Sequence, residues 1–278
     1  MHRQPCRLVQ PKTPPFMMVQ SLKKVAAAFG IRVSRIPSKA ALERMEQARV
    51  AKAEAQRKTE ELRISEAEAL KVKWLRDLNI KTILDIGANT GQFCHRISQV
   101  FPQARIYCFE PLADCYEELV KNNAFNHHFQ AYNVALGDEK GQVAIHRNEY
   151  SPSSSVLPMA NLHKTNFAFA VQSQSETIQV ERLDDLAGQL KLTPPILIKV
   201  DVQGFEDRVI RGGKAVFGMA SVVICELSME KLYEGQPLFH DLYEQLTQMN
   251  FHYKGNFEQL LSPVDGRVLQ ADGIFMRE

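Results

Sequence analysis

The fold of this chain is decided by the stretch Ile83-Leu84-Asp85-Ile86-Gly87-Ala88-Asn89-Thr90-Gly91. It reads as a buried strand that ends near Asp85 and enters a glycine turn. A helical segment follows, and a second apolar strand then ends at Glu110. Such a unit binds nucleosides, because the turn brings the backbone close to the ligand and the acid after the second strand accepts hydrogen bonds from ribose hydroxyls. We therefore expect a nucleoside pocket with Glu110 in its wall.

The spacing of the turn indicates which nucleoside binds. A dinucleotide turn follows Gly-x-Gly-x-x-Gly, so that a pyrophosphate can lie on the helix N-terminus. Here the spacing is Asp-x-Gly-x-x-x-Gly, from Asp85 through Gly87 to Gly91. That turn leaves room for an amino-acid moiety in place of a pyrophosphate. The expected cofactor is S-adenosylmethionine.

Individual roles in the turn follow from this expectation. Gly87 and Gly91 permit the tight turn and the close approach of the methionine part of the cofactor. Asp85 is expected to orient this turn or to accept a hydrogen bond from the cofactor's amino group. The alternative role is to stabilise backbone donors at the helix N-terminus, and the two roles are compatible. Asn89 either donates to the cofactor's carboxylate or only forms the turn.

Composition and charge limit the class of protein. The 278 residues can hold one α/β domain of roughly 200 residues plus an extension. Five scattered cysteines without a Cys-x-x-Cys pair favour a reducing compartment and argue against a zinc site. The net charge of +2 hides an asymmetry, since residues 1–75 carry +9 and residues 76–278 carry −7. A basic leader of this kind predicts contact with a negatively charged surface, and Met17 or Met18 is an alternative start of the chain.

Three segments are expected along the chain. Residues 1–39 form a basic leader, in which an amphipathic helix within residues 17–39 either lies on an anionic membrane or packs on protein. Residues 40–72 are rich in Ala, Glu, Lys and Arg, and predict a charged helical extension that serves as a spacer or an oligomerisation element. Residues 73–278 form the α/β domain.

Strands and helices alternate through this domain. Apolar strands are expected at about 83–87, 105–110, 130–135, 195–201 and 221–226, followed by 251–254 and 273–277 without a helix between them. Continuous apolar strands indicate a parallel sheet buried on both faces, and the last two strands indicate an antiparallel hairpin. The pattern predicts an α/β class I (Rossmann-like) methyltransferase fold, with a mostly parallel seven-stranded sheet and an antiparallel last strand. Asn133 and Ala135, at the end of the third strand, are expected to border the adenine ring.

Residues 136–194 interrupt the alternation. Strand-like pieces at 142–146 and 176–180 flank a serine-rich stretch. An insertion after the third strand lies near the carboxyl ends of the strands, so we expect a substrate-side lid, with an ordinary surface excursion as the alternative. Within it, Ser154 and His163 are the candidate substrate residues. His163 is also an alternative general base, although a lone loop histidine is more often incidental.

The motifs together resemble a known family. They are the glycine turn, Glu110-Pro111, Asn133-Val134-Ala135-Leu136-Gly137-Asp138 and Lys199-Val200-Asp201-Val202-Gln203-Gly204-Phe205-Glu206. With these motifs, residues 70–278 resemble the FkbM family of S-adenosylmethionine-dependent methyltransferases, of which the Lys-x-Asp-x-x-Gly-x-Glu segment is the most distinctive part. The resemblance implies methylation of a hydroxyl on a sugar, polyketide or similar metabolite, with no metal requirement assumed.

Three carboxylates are the candidate catalytic residues. A hydroxyl is a poor nucleophile and benefits from a base that takes its proton. Asp201 ends the strand beside the first one, Glu206 begins the next helix and Glu226 ends the neighbouring strand. One of the three could act as the general base, because crowding raises one pKa towards neutrality. Alternatively, Asp201 and Glu206 only brace the turn between them, and Lys199 depresses the pKa of the acid with which it pairs.

The expected function is therefore that of an S-adenosylmethionine-dependent O-methyltransferase acting on a saccharide, glycan or related metabolite. A non-catalytic cofactor-binding assembly subunit, or a lipid-linked or nucleic-acid acceptor, is the alternative, and the turn spacing disfavours a dinucleotide-dependent oxidoreductase. Nucleic acid is not expected as a partner, because motifs for flipped bases are missing. No metal ligand is assigned. The expected location is cytoplasmic, with peripheral contact at the inner face of the membrane through residues 17–39, and a homo-oligomer is the further expectation.

Overall fold

The computed structural model describes residues 72–167 and 172–277, together with positions 40, 43, 46–50, 52 and 70. The chain divides into two units, Met1–Ala69 and Leu70–Glu278. In the first unit the described positions are helical and exposed, and Arg49 pairs with Glu46 one turn away. The predicted amphipathic helix within residues 17–39 lies outside the described residues.

The second unit is an alternation of strands and helices. The strands are β1 (Thr82–Ile86), β2 (Arg105–Phe109), β3 (Phe129–Tyr132), β4 (Ala135–Leu136), β5 (Gly141–Asn148), β6 (Ser173–Glu181), β7 (Ile196–Val200), β8 (Val222–Ser228), β9 (His252–Leu261) and β10 (Val268–Met276). The helices are α1 (Lys73–Arg76), α2 (Gln92–Val100), α3 (Ala113–Asn122), α4 (Asn161–Asn166), α5 (Leu183–Leu186), α6 (Glu206–Gly212), α7 (Lys214–Met219) and α8 (Phe239–Gln248). None of the described helices combines the length and apolarity that crossing a membrane requires.

The main sheet has seven strands in the order β3-β2-β1-β7-β8-β10-β9. Strand β1 pairs in parallel with β2 and β7, and β7 pairs in parallel with β8. Strand β10 inserts between β8 and β9 and is antiparallel to both. The order reverses beside β1, so ligands are expected at the carboxyl ends of β1 and its neighbours. The predicted fold class is confirmed.

The central strands hold the sheet together by burying both faces. All five residues of β1 and all five of β7 are buried. Successive side chains of a strand point to opposite faces, so Ile83 and Leu197 pack in one core cluster while Leu84 and Ile198 pack in the other. This two-sided burial is the physical reason why the strands read as unbroken apolar runs.

The insertion folds into a second sheet of three strands in the order β4-β6-β5. The predicted strand pieces 142–146 and 176–180 lie within β5 and β6, which pair antiparallel. The predicted third strand, 130–135, extends three residues past the end of the observed strand. Strand β3 stops at Tyr132, and Ala135 begins β4, where it pairs with Val180 of the second sheet. The chain therefore changes sheets at this point, which a continuous apolar pattern does not reveal.

Gly87 lies where the turn after β1 meets the chain after β7. Its backbone has φ 81°, and a Cβ atom at this position would lie 1.8 Å from the carbonyl oxygen of Asp201. The two segments are also joined by a hydrogen bond of 3.0 Å from the Asp201 amide to the Ile86 carbonyl oxygen. Gly87 is thus required for the packing of backbone against backbone, in addition to its position beside the predicted cofactor.

Replacing Gly87 with alanine is expected to destabilise the fold by about 3 kcal/mol or more, because the left-handed backbone and the clash with Asp201 both oppose a Cβ atom. Gly188→Ala is the matched control, since no atom lies within 4 Å of its Cβ position. We expect the control to change stability by less than about 1 kcal/mol. Urea unfolding measures the stability of both variants. Equally small effects of the two substitutions would contradict the role of Gly87 in backbone packing.

Candidate active site

A cavity of about 260 Å³ opens at the carboxyl ends of β1, β2 and β7. Five of the seven residues predicted to bind the cofactor line its wall, namely Asp85, Gly87, Asn89, Glu110 and Ala135. They come from the end of β1 and the turn after it, from the position that follows β2, and from the start of β4. The topology therefore gathers at one edge residues that are up to fifty positions apart in the chain.

Glu110 is buried in the wall of this cavity. Its Oε2 accepts a hydrogen bond from the Asn89 amide and its Oε1 accepts one from the Leu112 amide, both at 2.9 Å. Burial raises the pKa of Glu110 to about 7, although these two backbone hydrogen bonds lower it. Each carboxylate oxygen has a second lone pair, so Glu110 can still accept hydrogen bonds from a ligand.

Asp85 is fully buried at the end of β1. Burial raises its pKa to about 6, against the opposing charge of Lys199. Its Oδ1 has no hydrogen-bond partner, and its Oδ2 lies 4.0 Å from the Cys108 thiol. An unpartnered buried acceptor is unusual in a folded protein. It suits a ligand group that brings a donor or a positive charge.

Asn89 connects the turn to the insertion. It adopts φ 47°, a left-handed conformation that asparagine tolerates better than most residues. Its Oδ1 accepts from the Thr90 amide at 2.8 Å, and its Nδ2 donates to the Ser151 hydroxyl at 3.1 Å. The side chain that was expected either to meet a ligand or to form the turn forms the turn in this structure.

Two predicted cofactor residues lie behind the wall of the cavity. Gly91, with φ 95°, precedes α2, and its Cβ position is 2.9 Å from side-chain atoms of Asn123 and of Leu119. Asn133 is exposed, and its Nδ2 donates to the carbonyl oxygens of Glu110 and Pro111 at 3.0 Å each. These contacts position the glycine turn and the corner after β2, and neither residue lines the cavity.

A second cavity of about 450 Å³ adjoins the first. The two cavities share the lining residues Pro152, Asp201, Gln203, Glu258 and Asp272. The larger cavity also reaches the end of β8 and the insertion. Three acidic side chains and one amide therefore surround the place where contents of the two cavities would meet.

Asp201 follows β7 and stands at this junction. Its Oδ2 accepts from Lys199 Nζ at 2.8 Å, and its Oδ1 accepts from Gln203 Nε2 at 2.9 Å. Burial opposes the charged form, but the Lys199 ammonium and the hydrogen bonds outweigh it and lower the pKa of Asp201. Asp201 is thus an ionised acceptor, held in place from two sides.

Glu226 lies on β8 directly opposite Asp272 on β10. Gln203 Nε2 lies 3.1 Å from each of its carboxyl oxygens. Burial, with the negative charge of Asp201 and neighbouring acids, raises the pKa of Glu226 well above its usual range. Burial likewise raises the pKa of Asp272 to about 6, which Lys199 opposes. The carboxyl pair is therefore poised to hold a proton next to the ionised Asp201.

Glu206 begins α6 and is buried. Its Oε1 accepts hydrogen bonds from the amides of Val202 and Gly204, at 3.0 and 3.1 Å. Burial raises its pKa to about 7, against these backbone hydrogen bonds. It lines neither cavity. Its contacts are those of a brace for the turn after β7, which is the alternative role that its position in the sequence left open.

The two predicted substrate residues lie on different cavities. Ser154 lines the first cavity, and its hydroxyl accepts from the Asn148 amide at 2.9 Å. His163, on α4, is buried and lines the second cavity, with ring centroids of Phe167 and Tyr233 at 5.1 and 5.3 Å. Burial lowers the pKa of His163, and its Nδ1 has no hydrogen-bond partner. A neutral imidazole therefore faces the second cavity.

Sequence reasoning missed two residues that organise the junction. Gln203, with φ 56°, donates to both Asp201 and Glu226, and its Oε1 accepts from the Tyr233 hydroxyl at 2.9 Å. Tyr233 also lies 3.2 Å from the Ser153 carbonyl oxygen. The position of Gln203 inside the Lys-x-Asp-x-x-Gly-x-Glu segment was a usable signal. Tyr233 lies in a loop after β8 without any motif around it. Within the described part of the chain, no cluster of three His, Cys, Asp or Glu side chains has the arrangement of a metal site.

The strand order, the antiparallel β10 and the position of the cavity at the carboxyl ends of the parallel strands define a class I methyltransferase fold. Residues 85–253 match the family described as the methyltransferase FkbM domain. This match covers more than half of the chain, so the chain belongs to the FkbM methyltransferase family. The family resemblance predicted from the motifs is confirmed.

Several proteins are similar to this chain. The 2-O-methyltransferase NoeI of Sinorhizobium fredii is 31% identical over 55% of this chain and 66% of its own length. Methyltransferase 1 of Beauveria bassiana is 28% identical over 47% of this chain and 57% of its own length. The crystal structure of methyltransferase FkbM from Methylobacillus flagellatus superposes with a TM-score of 0.43 at 14% identity, over 71% of this chain and 44% of that one. The chain thus spans no more than about two thirds of the length of these curated relatives.

The raised pKa of Glu110 makes stability depend on pH. Its pKa is about 7 in the fold against an ordinary 4.5, so folding favours the protonated form. The stability that it contributes is full below about pH 4.5 and is lost as pH rises through about 7. We expect Glu110→Gln to remove part of the decrease in unfolding free energy between these values. Urea unfolding without ligand measures it, and parallel pH profiles for the two proteins would refute the assignment.

Proposed function

We propose that this protein is an S-adenosylmethionine-dependent O-methyltransferase that acts on a hydroxyl of a saccharide, glycan or related metabolite. The observation that carries the proposal is the meeting of the two cavities at Asp201. One cavity has the residues that a nucleoside with an amino-acid part needs, and the other has carboxyl and amide groups that bind hydroxyls. The family membership supports the transfer of a methyl group between them.

The residues of the first cavity fit the proposed cofactor. The unpartnered Oδ1 of Asp85 suits its ammonium group, which would satisfy the buried acceptor. Glu110 suits the ribose hydroxyls, and hydrogen bonds to a charged group are each worth roughly 1.5 to 3 kcal/mol. Leu112, Ile145 and Ile178 give the same cavity an apolar wall that suits a base. When bound, S-adenosylmethionine supplies a methyl group on a sulfonium, which is a good leaving group.

The remaining chemistry is the removal of the acceptor's proton. We assign the general base to Glu226, because it lines the second cavity together with Asp201 and because its ionised form, given the raised pKa, is a stronger base than an ordinary carboxylate. Asp201 is the weaker base and accepts a hydrogen bond that aligns the acceptor. Gln203 holds both carboxyl groups in place. With the cofactor bound, the proton of the acceptor hydroxyl would pass to the Glu226 carboxylate while the acceptor oxygen bonds to the methyl carbon, the carbon–sulfur bond breaks and the sulfur leaves as a neutral thioether. Alignment of the acceptor oxygen would contribute much of the rate.

The second cavity supports a neutral acceptor. Its volume of about 450 Å³ falls in the range of roughly 300 to 1,000 Å³ that is common for small-molecule sites. Among its described lining residues there is no lysine or arginine, while Asp201, Glu226, Glu258 and Asp272 are acidic. A phosphate-rich nucleic acid is disfavoured by these charges. The 2-O-methyltransferase named among the relatives supports oxygen as the acceptor atom.

The proposal is tested by incubating the protein with S-adenosylmethionine and a panel of neutral saccharides, with nucleotides and sugar phosphates as comparison. Mass spectrometry should find a methyl group added to a neutral saccharide hydroxyl and to none of the phosphorylated compounds. Calorimetry with S-adenosylhomocysteine separates binding from catalysis. A protein that does not bind it would refute the cofactor assignment, and binding without transfer to any acceptor would favour a non-catalytic assembly subunit.

Replacing Glu110 with alanine is expected to weaken S-adenosylhomocysteine binding at least tenfold, because two ribose hydroxyls lose a charged acceptor. The control is Glu139→Ala, which removes a carboxylate from an exposed position outside both cavities. Calorimetry measures affinity, and thermal melting checks that each variant is folded. Unchanged affinity in the Glu110 variant would exclude it from the ribose site.

Replacing Glu226 with glutamine is expected to lower kcat by about 10² to 10⁴, with S-adenosylhomocysteine affinity changed by less than about twofold. Asp201→Asn is the comparison, and its loss of activity should not alter the acidic limb of the pH–rate profile. The glutamine variant should lose that limb, since the limb reports the base. A full acidic limb in Glu226→Gln would assign the base elsewhere, and His163 would then be the candidate.

Three further proposals stand apart from the reaction. The basic leader supports membrane contact through residues 17–39, and the charged helical extension supports a homo-oligomer. The free cysteines support a cytoplasmic location.

A further inference from the structure

The first cavity contains few positive charges for its many acids. Among the described residues that line it, the lysine and arginine side chains are Lys199 and Arg96. Lys199 is buried and donates to Asp201 at 2.8 Å, so its charge is balanced within the protein. Arg96 is partly exposed, with about 35% of its side chain accessible. A negatively charged ligand group that enters this acidic cavity therefore has Arg96 as its accessible cation.

Arg96 is held at the edge of the cavity by three features. Gln92, Phe93 and Arg96 lie on one face of α2, and all three line the cavity. Arg96 Nη1 donates to Glu258 Oε1 on β9 at 2.7 Å. Its guanidinium also lies over the Phe257 ring, 5.5 Å from the centroid. The planar group is thus oriented before any ligand arrives.

Arg96 and Asp85 carry opposite charges and line the same cavity. Asp85 Oδ1 is buried without a partner. Burial dominates the raised pKa of Asp85, and the positive charge of Arg96 is near enough to lower that pKa in turn. An α-amino acid carries its ammonium and its carboxylate on the same carbon. A buried anionic acceptor with a cation close by therefore matches both charged groups of such a ligand.

We propose that Arg96 binds the carboxylate of the methionine part of S-adenosylmethionine, while Asp85 binds its ammonium group. This inference rests on the proposed function. A guanidinium is a planar fork of five donors and can serve two carboxylates at once. The cofactor's carboxylate joins Glu258 as a partner of Arg96 or replaces it. Glu258 lines both cavities, so a change in its pairing with Arg96 also changes the charged group that faces the second cavity.

The test compares S-adenosylmethionine with its decarboxylated form, which keeps the sulfonium and the ammonium. Calorimetry on the full chain should show the wild type binding the decarboxylated compound at least tenfold more weakly. Arg96→Gln should bind S-adenosylmethionine at least tenfold more weakly than the wild type and should no longer distinguish the two compounds. Arg105→Gln is the control, since it removes the same charge from an exposed position outside the cavity, and it should retain the wild-type preference.

Each other result has a definite meaning. If Arg96→Gln retains the wild-type preference for the carboxylate, or if the wild type has none, the inference is overturned. If Arg96→Gln binds neither compound, Arg96→Lys decides, because it keeps the charge and should retain part of the preference; a lysine variant that binds neither assigns Arg96 a structural role. A wild-type protein that binds neither compound refutes the proposed function itself. Melting temperatures confirm that the variants are folded.

Discussion

The site depends on one buried positive charge, the ammonium of Lys199. Lys199 belongs to β7, a central strand whose residues are all buried, and an unpaired ammonium at such a position would be very costly. Asp201 accepts its hydrogen bond, and Asp85 is its neighbour in register on β1. Burial lowers the pKa of Lys199, but Asp201, Asp272 and Asp85 outweigh burial and raise it. The cation and its acids therefore stabilise one another, and neither could be buried alone.

This single cation divides the surrounding acids into two kinds. Asp201 accepts a hydrogen bond from Lys199 and remains ionised, whereas burial raises the pKa of Glu226 and that of Asp272. Acids in different environments at one site are a recognised way to separate the pKa of a general base from the pKa of a neighbouring acid that stays ionised. The strand order produces this division, because β8 and β10 bring their acids to the same edge that β7 reaches with Asp201.

Much of the fold could be predicted from sequence, since burial on both faces leaves a direct signal in each strand. The glycine turn and the place of Glu110 in the cavity wall were predictable for a different reason, since each follows from a short stretch of sequence. The junction of β3 and β4 was not, because Tyr132 and Ala135 are close in sequence yet belong to different sheets. Nor could sequence separate the two roles of Glu206, since only the path of the turn shows that its Oε1 meets two backbone amides. The role of Tyr233 could not be predicted either, because it rests on a hydrogen bond to Gln203, thirty positions away in the chain.

The insertion contributes to the site by contacting Gln203, which lies in the turn after β7. A non-glycine residue with φ 56° costs of the order of 1 to 3 kcal/mol, so other contacts must hold it. The Ser155 hydroxyl donates to its carbonyl oxygen and the Tyr233 hydroxyl to its side chain. Because the same side chain donates to Asp201 and Glu226, the insertion helps to fix the distance between these two carboxyl groups. A change of acceptor specificity could therefore arise in the insertion, through Ser155, without any substitution among the acids themselves.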